Sequence, residues 1–166
     1  RGDRPHPQSN SENDGAVSKM DEKLSIVELE DSYIEDLDQL GDWFLQYEYL
    51  LAISADMPHV AEEERTEENK VHGCQSGVWL VLSYSEGRVN VRADSEALIV
   101  RGIVSIAVSL LDGRTPEEIA AYRPRFVEET NIKRQISTDR FRGIHSVIET
   151  IQRFAAQCEG AEGGKL

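Results

Sequence analysis

Apolar positions in this chain fall into several helical repeats separated by one short block of strand-like alternation. Ser25 and Glu28 form a capping-box pattern, and Ile26, with Leu29 or Ile34, then Leu37 and Leu40, line one face before Gly41 breaks the helix. Asp42 is placed to cap a second helix carrying Trp43, Tyr47, Leu50, Leu51 and Ser54 at helical spacing, with Pro58 just past its end. The aromatic stripe on that helix is expected to pack in the core. Residues 61–70 are a charged connector. Lys70-Val71-His72 then predicts an edge strand, residues 78–84 a second strand rich in β-branched and aromatic side chains, and Val89-Asn90-Val91-Arg92 a third after a Glu86-Gly87 turn.

Helical spacing resumes downstream. Asp94 or Ser95 opens the most apolar helix, whose buried face is expected to hold Leu98, Ile99, Ile103, Ile106, Ala107 and Leu110; Gly113 stops it, and Gly102 within it allows close packing. Thr115-Pro116-Glu117-Glu118 is a second capping box with proline at the first helical position, starting a short helix to about Ala121. After an irregular stretch with Pro124, Ser137 or Thr138 begins a last helix with Phe141, Ile144, Ile148, Ile151, Ala155 and Cys158 on its apolar side. The order predicts an α+β fold, a three-stranded antiparallel sheet with helices over one face. Residues 23–158 read as one domain. Residues 1–22, rich in Pro, Ser, Asn, Gly and charge, read as a disordered extension or an expression remnant, and residues 159–166 as a flexible glycine-rich tail.

Composition narrows the function. The 166 residues suffice for one core without disulfide or metal. A net charge of −13, from 31 acidic and 18 basic residues, argues against nucleic acid and against an anionic membrane surface as partners. No apolar run approaches the roughly 20 residues needed to span a bilayer, and no signal-peptide core precedes the domain, so the expected location is cytoplasmic. Cys74 and Cys158, the only two cysteines, match neither a disulfide scaffold nor a zinc or CxxC spacing.

Cys74 stands apart from the apolar repeats. Gly73 and Gly77 bracket it, so it should lie at or near the tip of a bend held by the strand that follows. Attack of a thiolate on a sulfane sulfur needs an accessible cysteine with thiolate character and a leaving thiol, and no oxyanion hole, fixed base or metal. Lys70, His72 and Arg92 or Arg101 are the local cations that could favour the thiolate of Cys74. His72 is either a base toward Cys74 or a loop histidine without a role.

At these residues the chain resembles the SufE family. The resemblance is carried by His72-Gly73-Cys74-Gln75-Ser76, the following Val78-Trp79-Leu80-Val81, Ala93-Asp94-Ser95-Glu96-Ala97 leading to Ile99-Val100-Arg101-Gly102, and Thr115-Pro116-Glu117-Glu118-Ile119. It extends over about residues 42–156. It implies a fold similar to SufE and IscU proteins. It also implies that Cys74 accepts sulfur from the active-site persulfide of a SufS- or CsdA-type cysteine desulfurase, stimulates that enzyme, and hands sulfur to a SufBCD-type iron–sulfur scaffold. The pyridoxal phosphate (PLP) cofactor belongs to the desulfurase; this chain is expected to hold no cofactor or metal, and to be a monomer or homodimer. His72, Gly73, Gln75, Ser76, Asp94 and Arg101 match family positions in or near the active loop, although Asp94 also fits a helix cap and Arg101 a surface charge. The family tucks its cysteine into a groove and swings the loop out on docking. Competing readings are an IscU-like cluster or zinc scaffold, which would want three cysteines, a cysteine-nucleophile enzyme, which would want a partnered histidine, and an adaptor in which Cys74 is incidental.

Overall fold

The computed structural model describes residues 24–164, with side chains to Gly160; the extension expected over residues 1–22 lies outside them. Among the described residues, six α-helices and one β-hairpin follow in the order α1 (Ile26–Leu40), α2 (Trp43–Ala55), a 3-10 turn (Glu62–Glu64), β1 (Val78–Ser85), β2 (Arg88–Ser95), α3 (Leu98–Leu111), α4 (Pro116–Ala121), α5 (Ile132–Gln135) and α6 (Thr138–Gly164). The expected caps form: Ser25 and Thr115 each close a capping box, with Glu28 and Glu118, and the Asp42 carboxylate accepts from the Phe44 N–H. α6 runs on to Gly164, so the backbone is helical where a glycine-rich tail was expected.

Helix α3 organises the molecule. It packs on α2 along one side and meets β2, α1 and α6 elsewhere, which is why it is apolar nearly all round. Val100, Ile103, Val104, Ile106, Val108, Leu110 and Leu111 are buried, each a gain of about 1.5–3 kcal/mol in transfer terms. A side chain at Gly102 would fall 2.9 Å from Cβ of Leu50, so the glycine is what lets α2 lie so close. Two expectations need correcting. Helix α3 begins at Leu98 after an uncapped Ala97, leaving Asp94 and Ser95 in β2, and Leu98 itself is 56% exposed. On α2, Leu50 is fully buried in the core and Trp43 packs against that core half-buried, while Tyr47, also half-buried, stands outside the cluster and meets Trp43 edge to face with ring centroids 6.2 Å apart.

The sheet has two strands, not three. Strands β1 and β2 pair antiparallel through the Glu86-Gly87 turn, both of whose residues have positive φ. The third strand expected at Lys70-Val71-His72 reduces to a single bridge between Lys70 and Trp79. Turn bonds from Asn69 N–H to Thr66 C=O and from Lys70 N–H to Glu67 C=O precede the bridge, and the chain bends at Gly73 directly after it. No length remains for a ladder. The outward N–H groups of β2 are satisfied individually: Val89 by Arg114 C=O, Val91 by the Asp112 carboxylate and Ala93 by Pro58 C=O. The edge is thereby closed to a further strand.

Candidate functional site

Residues 72–77 form a loop whose base is fixed by two hydrogen bonds, Val71 N–H to Val78 C=O and Leu80 N–H to Asn69 C=O, both 2.8 Å. Gly73 and Gly77 sit at φ 89° and 68°, the left-handed region that side chains rarely adopt. The Glu96 N–H also reaches Gly77 C=O at 3.2 Å, tying the loop's end to the link between β2 and α3. Between those glycines the chain folds inward onto α6.

Cys74 is therefore covered, at 7% exposure. Its side chain rests on Gly143: a Cβ built there would stand 2.6 Å from Cys74 Sγ and 3.2 Å from Cys74 Cβ. One turn further along α6, Ser146 Oγ lies 3.0 Å from where a side chain on Gly73 would begin. The loop thus lies on the face of α6 made by residues 143 and 146. Beside it opens a cleft of about 290 Å³ lined by Gly73, Cys74, Gln75, Asp139 and Arg142. A second cleft of about 440 Å³, which shares Gln75 and Asp139, runs past Ser76, Glu96, Ser137 and Arg140. Asp139, Arg142 and Gly143 were missed in the sequence. They lie far along the chain, and only an isolated glycine within an apolar helical repeat could have flagged one of them.

The other predicted residues divide in two. Gly73, Gln75 and Ser76 stand with Cys74 at the clefts, whereas His72 points to solvent and makes no hydrogen bond with the thiol. Asp94 and Arg101 are brought together, but as support. The Asp94 carboxylate pairs with Arg65 at 2.8 Å and Arg101 at 3.3 Å and accepts the Ser95 N–H at 2.9 Å. Arg65 also lies over the Trp79 ring, 5.0 Å from its centroid, and Trp79 is the cross-strand partner of Asp94. Arg101 donates to His59 Nδ1 at 2.9 Å. Arg92 forks onto Glu64 with bonds of 2.7 and 2.6 Å, and that hydrogen bonding, more than the Ala61 N–H, holds the Glu64 carboxyl down to about 2. Arg92 and Arg101 are thus committed to carboxylates, while Arg142 has no ion pair among the described residues.

The family model described as SufE, Fe-S metabolism associated domain, matches residues 31–155. The chain belongs to the SufE family. The matched range takes in the Cys74 loop, the Asp94 ion pairs and Gly143, so every element of the candidate site described above falls inside it. An uncharacterised SufE-like protein of Rhizobium etli is 36% identical over 139 residues, covering 81% of this chain and 93% of its own. The fold is shared with the solution structure of a hypothetical protein from Thermus thermophilus, at a TM-score of 0.65 and 20% identity over 78% of this chain and 94% of that one. Among the described residues no helix is long and apolar enough to cross a membrane, and no group of three or more His, Cys, Asp or Glu is placed to hold a metal ion.

Proposed function

We propose that Cys74 is a sulfur carrier: it takes sulfane sulfur from a cysteine desulfurase of the SufS or CsdA type, stimulates that enzyme by emptying its active-site cysteine, and passes the sulfur to an iron–sulfur scaffold of the SufBCD type. The observation that carries this reading is the Cys74 thiol held under a two-glycine loop with an open cleft beside it, in a family of Fe–S metabolism. In the transfer, the Cys74 thiolate attacks the outer sulfur of the donor's cysteine persulfide. The donor's S–S bond breaks as a new one forms on Cys74, and the donor cysteine leaves as a thiolate. No net oxidation occurs, and the proton given up by Cys74 ends on the departing thiolate or in solvent. The chemistry asks for no cofactor here, because PLP acts in the desulfurase, where the persulfide is made.

A covered thiol suits the task, since an exposed persulfide is quickly reduced or oxidised. Handing the sulfur on requires the loop to open, and glycines at both ends give it hinges. Incubation with a cysteine desulfurase and cysteine, followed by intact-mass measurement, tests the reading. Wild type should gain one sulfur atom and Cys74→Ala none. An unchanged wild-type mass beside a desulfurase that turns over would overturn it.

A further inference from the structure

Gly143 lies inside helix α6, where glycine costs about 1 kcal/mol relative to alanine, and its backbone does not need positive φ. Its use must come from space. The space is occupied by Cys74: a methyl group at 143 would overlap Sγ at 2.6 Å, crowd Cβ at 3.2 Å and touch Cα at 3.4 Å, and no other residue is nearer. Real Cβ atoms do not tolerate the first of these distances. The obstacle would be the root of a short, two-glycine loop side chain on one side and a packed helix on the other, with Ile144, Val147 and Ile148 buried beside it. The loop is the part able to give way.

We infer that Gly143 is the positioning residue for Cys74: the side chain missing from α6 is the seat that lets the thiol close into shelter. The identity of residue 143 then sets how fast Cys74 meets any reagent or partner, and its bearing on sulfur transfer rests on the carrier reading above. Gly143→Ala converts a seat into a wedge. It should hold the loop open while removing a weak point from the helix, so exposure of Cys74 rises without a loss of the helix itself.

The test needs no desulfurase, so it can fail or succeed apart from the carrier reading. The chain carries its own reference thiol, because Cys158 is buried toward the far end of the same helix. Native wild type and Gly143→Ala are treated with iodoacetamide, and labelling of each cysteine is followed by peptide mass. The expected result is labelling of Cys74 faster by about tenfold or more with Cys158 unchanged, the mark of local opening. An unchanged Cys74 rate, or equal acceleration at both thiols, would overturn the assignment. Stability supplies a second measurement that holds even where Gly143→Ala folds poorly. In a Cys74→Gly background the two closest overlaps vanish, so adding Gly143→Ala there should raise the urea midpoint, as alanine does in a helix. A fall in midpoint as large as in the Cys74 background would sink the proposal.

Discussion

Asp94 is a carboxylate whose side chain is 6% exposed, and it survives there because two guanidiniums and a backbone N–H share its charge. The Arg101 contact is an ion pair rather than a well-aligned hydrogen bond, as its Nε finds no good acceptor, so Arg65 carries the directed half. Both arginines are partly exposed, which lets water replace some of what they would lose. Removing the carboxylate should then cost about 2 kcal/mol, less than for a fully buried pair. Urea unfolding of Asp94→Ala is expected to show that loss as a lower midpoint with an unchanged slope; a shift of less than about 0.5 kcal/mol would mean the pairs are replaceable by solvent. The same substitution frees Arg65 from its place over Trp79, whose neighbour Val78 closes the base of the Cys74 loop.

At the level of elements, the loop is framed by clasps between segments. The Glu64–Arg92 fork fastens the 3-10 turn to β2, and His59 C=O accepts a further bond from Arg92 at 3.2 Å. Hydrogen bonding to Arg92 lowers the Glu64 carboxyl from an ordinary 4.5 to about 2. A group depressed on folding stabilises fully above its unfolded value and loses that stabilisation as pH falls through the folded one. Between pH 4.5 and about 2 the wild type should therefore lose an increment of stability that Glu64→Gln lacks. Denaturant midpoints collected down that range should converge for the two proteins, and parallel curves would contradict the clasp. Helices α1, α2 and α4 were legible here because their starts are written in neighbouring residues, Ser25 with Glu28, Asp42 before Phe44 and Thr115 with Glu118. The third strand was misjudged because Val71 looks like a strand residue, while the turn before it and the bend after it decide its pairing. Asp94 resembled a cap for the same reason: a short acidic residue before an apolar helix is ambiguous until the strand register is known.

Over the whole molecule, the contacts that close the fold join residues distant in sequence, and these left no local mark. The thiol's bend could be read from two glycines, but its seat on α6 could not, nor could Glu30. That glutamate sits on α1 at 1% exposure, and one of its oxygens accepts from the Tyr122 hydroxyl at 2.7 Å, Arg125 N–H at 2.9 Å and Phe126 N–H at 3.1 Å. Its other oxygen faces the Arg125 guanidinium at 3.4 Å. Burial, and next the bond to Glu30, push the Tyr122 hydroxyl well above the usual phenol range, so it remains a donor throughout the neutral range. Glu30 thus pins α1 to the segment between α4 and α5, and Glu30→Ala would strand a buried hydroxyl and two N–H groups at once. With about 1–3 kcal/mol for each unsatisfied buried group, the loss is roughly 3–5 kcal/mol after partial relaxation. Against a total of about 5–15 kcal/mol, that is a large share of the fold. Glu30→Gln keeps one oxygen for the three donors but turns an amide toward Arg125, so its urea midpoint should fall between wild type and Glu30→Ala. Cys74 lies on another part of the molecule, so whatever fraction of Glu30→Gln remains folded should label with iodoacetamide at the wild-type rate. A Glu30→Gln midpoint at or below that of Glu30→Ala would show that charge, and not the three-donor oxygen, is what holds α1 in place.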